Sequence, residues 1–89
     1  MAKKAAKSIS TEKIKNVLKN RHDEIATTQA YAGAKGEENI AYQLSMELDV
    51  VRDIIRDLLG AGSYTSERVH KRVDGVDFMC QQLVWKGEE

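Results

Sequence analysis

Along residues 41–58, apolar side chains recur in steps of three and four at Ala41, Leu44, Leu48, Val51, Ile55 and Leu58. That period gathers all six on one stripe of an α-helix, the a and d seam of a short coiled coil. Ile40 and Ile54 widen the seam on one flank and Leu59 widens it on the other. Tyr42, Met46 and Val50, spaced by four, form a further apolar row on another face. Glu37 and Glu38 suit the positive end of the helix dipole, and Gly60 suits its stop. The pattern predicts a helix over residues 37–59.

Upstream, Ser10 is placed to cap a helix beginning at Thr11. Ile9 and Ile14 occupy the two positions of a hydrophobic staple, and Glu12 lies in the first turn. Ile14, Leu18, Ile25 and Ala32 then share a narrow stripe that Arg21 interrupts. Gly33 and Gly36 are expected to end this helix, because each costs ~1 kcal/mol relative to alanine inside one. The expected span is residues 11–32.

Two patterns compete after the loop AGSYTS. Val69, Val73, Val76, Cys80 and Leu83 alternate by four and three, as on a helix. The same residues also read as an Asp74-Gly75 hairpin, with Val69, Val73, Val76, Phe78 and Cys80 on one face. The helical seam continues through Leu83 and Val84, whereas strand alternation fails after Cys80. A lone two-stranded hairpin is also marginal without something to lie on. The helix over residues 66–86 is therefore the expected element.

The resulting expectation is an all-α, three-helix bundle-like domain over residues 10–89, preceded by a disordered basic tail at residues 1–9. A bundle helix presents an apolar face of about three positions in seven, and the middle helix exceeds it. Tyr42, Leu44, Met46, Leu48, Val50, Val51, Ile54, Ile55 and Leu58 are accordingly the candidate protein interface. A second copy, antiparallel in a two-fold dimer, is the leading cover, since two-fold homodimers dominate among oligomers. Another protein is the other candidate.

Length and composition bound the rest. Eighty-nine residues make one small domain, whose core is modest without a staple. With Cys80 as the one cysteine there is no internal disulfide. No apolar run is long enough to span a membrane, and the basic start has no apolar stretch after it, so the default compartment is the cytoplasm. Net charge is zero but unevenly placed. Residues 1–22 carry seven cations against the carboxylate of Glu12, and the remainder carries seven against thirteen acids. Lys3, Lys4, Lys7, Lys13, Lys15, Lys19 and Arg21 are the candidate phosphate contacts should the partner be nucleic acid. No aromatic residue is interleaved among them, which argues against base stacking.

Catalytic chemistry finds little support. Glu67 and His70 have the E-x-x-H spacing of di-iron carboxylate bundles, but such sites need two of these motifs and two further glutamates. His22, Asp23 and Glu24 are neighbours in sequence and diverge around a helix. On a helix, His70 and Cys80 lie ~15 Å apart, too far for a base and its nucleophile. There is no zinc-ligand spacing and no phosphate-cradling glycine loop. The sequence thus points to a non-enzymatic protein-binding module, a small regulator, adaptor or inhibitor without cofactor. A nucleic-acid-associated protein is the alternative and a metal-binding helical protein a remote one.

Overall fold

The computed structural model describes residues 10–87. Two helices, α1 (Thr11–Ala34) and α2 (Glu38–Leu59), are followed by two antiparallel strands, β1 (Tyr64–Val73) and β2 (Val76–Trp85). The fold is α+β. The expected all-α bundle and its coiled-coil character are therefore corrected, and the third helix over residues 66–86 is replaced by a hairpin. The tail expected at residues 1–9 lies outside the described residues.

Local chemistry sets each boundary. Ser10 caps α1, its side chain accepting from Lys13 N at 3.1 Å. The helix passes through Gly33 and ends one residue later, and Gly36 turns the chain at φ 81°. Gly60, at φ 102°, follows α2 and returns its N–H to Arg56 O. Asp74 and Gly75 have φ of 52° and 80°, the two positive values that a two-residue type I′ turn requires.

The hairpin explains why the helical pattern in residues 69–83 misleads. Its register is unbroken from Val73 opposite Val76 to Tyr64 opposite Trp85. Phe78 and Cys80 are buried on one face of β2, while Leu83 and Trp85 are buried on the other. The change of face mimics a step of three. It arises because β2 lies edge-on to α1, so side chains from both faces find cover at different points along the strand. A hairpin closed at Val73–Val76 turns every second backbone pair outward, and Leu83 is one of these. Its N–H donates to Asp23 Oδ1 at 2.8 Å and its carbonyl accepts from Lys19 Nζ at 2.9 Å, both from α1.

α1 is thus the central element, packed closely on both α2 and β2. The core joins Ile25 and Ala26 of α1, Leu48, Val51 and Ile55 of α2, and Leu83 and Trp85 of β2. Leu18, Leu44, Leu59 and Tyr64 close it at the margins. At the far end Tyr31 and Phe78 meet with ring centroids 5.8 Å apart. By the same alternation, Ser66, Arg68, His70 and Arg72 of β1 turn their backbone groups away from β2. Among the described residues no other element packs closely along that outer edge.

Candidate functional site

The nine apolar positions expected to form an interface divide between two faces of α2. Leu48, Val51 and Ile55 are buried in the chain's own core, and Leu44 is half-buried beside them. Tyr42, Met46, Val50, Ile54 and Leu58 are exposed, retaining between 41% and 68% of their accessible surface. These five follow one another at intervals of four, which makes them a single i±4n ridge of the helix surface. The ridge is ~24 Å long at 1.5 Å per residue. Val17 of α1, also exposed, lies beside Leu58 at its end.

Carboxylates border this ridge. Glu47, Asp49, Asp53 and Asp57 are all exposed, and Glu47 and Asp53 stand one turn on either side of Val50. Arg56 pairs with Asp53. An antiparallel two-fold contact centred on Val50 would therefore set Glu47 of each copy beside Asp53 of the other. Like charges brought together in this way oppose association.

A second feature is a polar hub inside the fold. His22 has 0% exposure. Its Nδ1 lies 3.1 Å from Asp23 Oδ1, and its Nε2 accepts from Arg52 Nε of α2 at 3.3 Å. The neutral imidazole with its proton on Nδ1 satisfies both contacts. Burial holds its pKa below the ordinary histidine value, the Asp23 hydrogen bond acts against this, and the Arg52 charge adds to it. Asp23 Oδ2 takes Lys19 Nζ at 2.5 Å. One aspartate thus ties together α1, the β2 backbone and, through His22, α2. As neighbours in sequence on a helix, His22 and Asp23 are expected to diverge. They do diverge, yet Asp23 reaches back to the imidazole while holding Leu83, and no local pattern carries that long-range bond.

The basic residues of α1 are partly engaged within the chain. Lys19 is held by Asp23 and Leu83, and Lys15 lies over the Trp85 ring, 5.2 Å from its centroid. Lys13 and Arg21 are exposed. Lys3, Lys4 and Lys7 lie outside the described residues.

Glu67 and His70 now fall on a strand, where a spacing of three puts their side chains on opposite faces. His70 Nε2 lies 3.2 Å from Asp77 Oδ1. Cys80 is buried, with Thr27 Oγ1 at 3.7 Å and Gln82 Nε2 at 3.4 Å. Among the described residues no three His, Cys, Asp or Glu side chains converge, and no helix is long and apolar enough to cross a membrane. A cleft of about 470 Å³ lies between Ala26, Ala30 and Gly33 of α1, Ala41 of α2, and Met79 and Gln81 of β2. No paired acid and base stand in it. No family model matches the chain, and neither a curated protein nor a solved structure matches it.

Proposed function

We propose that this chain is a protein-binding module whose contact surface is the outer ridge of α2. The observation that carries the reading is the row Tyr42, Met46, Val50, Ile54 and Leu58, exposed along a helix whose opposite face already fills the core. Contiguous apolar surface of this kind marks interaction sites more often than isolated exposed residues do. The acidic margin selects the partner. Glu47, Asp49, Asp53 and Asp57 favour an apolar helix or groove with a basic rim over a second copy of this chain. The protein then acts by covering a partner's surface, as a regulator, adaptor or inhibitor does.

The test uses two synthetic amphipathic helices with the same leucine seam, one flanked by lysine and the other by glutamate. The lysine-flanked peptide should bind the protein, and Val50→Asp should weaken it about tenfold or more, the usual penalty for placing a charge in a desolvated contact. Val50 is half-exposed, so the variant should keep its helical circular dichroism. Sedimentation should give a monomer mass for the protein alone at neutral pH. Equal binding of both peptides, or binding indifferent to Val50→Asp, would sink the reading.

A further inference from the structure

At the end of the molecule away from the hairpin turn, the start of α1, the end of α2 and the end of β2 line a small open cavity of about 250 Å³. It is lined by Thr11, Lys15, Leu59, Ser63, Trp85 and Lys86. Two of these residues carry polar atoms that are sealed from solvent and bonded to nothing, Ser63 Oγ and Trp85 Nε1. Trp85 is 3% exposed. An indole N–H can only donate, and leaving such a group buried without an acceptor is costly. Native structures leave few of these, and an orphan of this kind calls for a missing partner. Here two fall on one cavity.

The surroundings specify what that partner is. Thr11 is the first residue of α1, so the positive end of the helix dipole lies at the cavity wall. Ser10 satisfies the amides of Lys13 and Ile14 through its side chain and carbonyl, and among the described residues no carboxylate lines the cavity. Lys86 adds an exposed ammonium, and Ser63 supplies a hydroxyl able to donate. Ser63 is held in place by its backbone, its carbonyl accepting from Lys86 N at 2.9 Å. Trp85 Nε1 can only donate, the Ser63 hydroxyl can donate, and Lys15 and Lys86 bring positive charge, set against the carbonyl end of α2 at Leu59. Leu59 and the Trp85 ring furnish an apolar wall.

The geometry points to an oxyanion-binding site at this cavity, one that takes a single carboxylate or phosphate group carried on a small apolar stem. The volume is below the ~300–1,000 Å³ of sites that enclose a whole drug-sized ligand. The occupant is therefore a head group rather than an extended molecule. Because the two orphan atoms are sealed, entry requires a side chain to move. Lys15, whose Nζ lies over the Trp85 ring, is the side chain that would have to shift. This site is separate from the α2 ridge, and neither reading depends on the other.

Trp85 is the chain's one tryptophan, so a ¹⁵N-labelled protein gives one indole N–H resonance. That resonance reports directly on whether Nε1 gains an acceptor. The protein is titrated separately with sodium phosphate, sodium acetate and sodium chloride at constant ionic strength. The expected result is a saturable downfield shift with phosphate, acetate or both. Saturation by one alone assigns the head group, and saturation by both shows a general oxyanion site. Ser63→Ala and Lys86→Gln should each raise the dissociation constant about tenfold, the scale of one hydrogen bond to a charged group. Lys35→Gln, which alters a side chain lying over Tyr31, should leave it unchanged. Lys86 is exposed, so its variant keeps the test valid should Ser63→Ala fail to fold. A buried water bonded to both orphans would leave the resonance still in all three salts, and that outcome overturns the proposal. So does a shift that chloride reproduces, or one that both variants leave intact.

Discussion

Replacing Asp23 by alanine tests the hub on which the three-way packing rests. Asp23 accepts from Leu83 N at 2.8 Å and from Lys19 Nζ at 2.5 Å, and lies 3.1 Å from His22 Nδ1. Leu83 is wholly buried, so its N–H would be left without an acceptor, a loss of ~1–3 kcal/mol. The His22 imidazole, also wholly buried, would lose the acceptor of its Nδ1 proton at a similar cost. Lys19 is more than a third exposed, so water screens its share to ~0–1 kcal/mol. Together these give about 2–7 kcal/mol. A chain of this length has a total stability of ~4–13 kcal/mol at ~0.05–0.15 kcal/mol per residue. Urea denaturation followed by Trp85 fluorescence and by far-ultraviolet circular dichroism measures the loss. With a slope of ~1–2 kcal/mol per molar, the midpoint should fall by at least ~1 M. Asp23→Asn keeps an oxygen for Leu83 and should cost clearly less. A fall under ~0.5 M at unchanged slope, or equal losses from alanine and asparagine, would show that the Leu83 bond does not carry the stability ascribed to it.

Stability should also depend on the charge state of His22. Its folded pKa lies below the ordinary value of 6.5, so the unfolded chain binds the proton more readily. Stability is then full above about pH 6.5 and declines as pH falls below it, by at most ~1.4 kcal/mol per pH unit. The decline ends once the folded-state value is passed. His22→Gln should remove that component, and a wild-type curve that rises on acidification from pH 7 to 6 would contradict it. In the hairpin turn, Gly75→Ala meets no neighbouring atom within 4 Å, so its effect is backbone strain alone at φ 80°. A loss of ~1–2 kcal/mol is expected, read as a fall in melting temperature of roughly 4–8 °C per kcal/mol. An unchanged melting temperature would show that the turn is not held at positive φ.

The helices were legible because their signals are local. Ser10 is where a cap belongs, and Leu44, Leu48, Val51 and Ile55 form the seam that the three-and-four spacing marks. Gly33 was overvalued as a stop, since the helix crosses it and turns at Gly36. The hairpin is masked in the sequence for a tertiary reason. Asp74-Gly75 is a strong local turn signal, but Leu83 and Trp85 break strand alternation because α1 lies along the edge of β2 and shelters both faces. Periodicity cannot separate that case from a helix. The apolar ridge was half legible. Tyr42, Met46 and Val50 stood out as surplus, while the identity of the buried positions depended on which elements came to cover them. The Asp23 hub and the pairing of Ser63 with Trp85 at one cavity join residues tens of positions apart, and nothing in their neighbourhoods announces either.

The outer margin of β1 bears on polymerisation. A two-stranded ribbon with one side bare offers a ready template for strands of other molecules, the first step of fibre growth. Arg68, Lys71 and Arg72 crowd that side with cations. A second ribbon approaching in register would bring its own arginines against them. The same charges that make the strand a poor contributor to the hydrophobic interior therefore oppose its use as a seed.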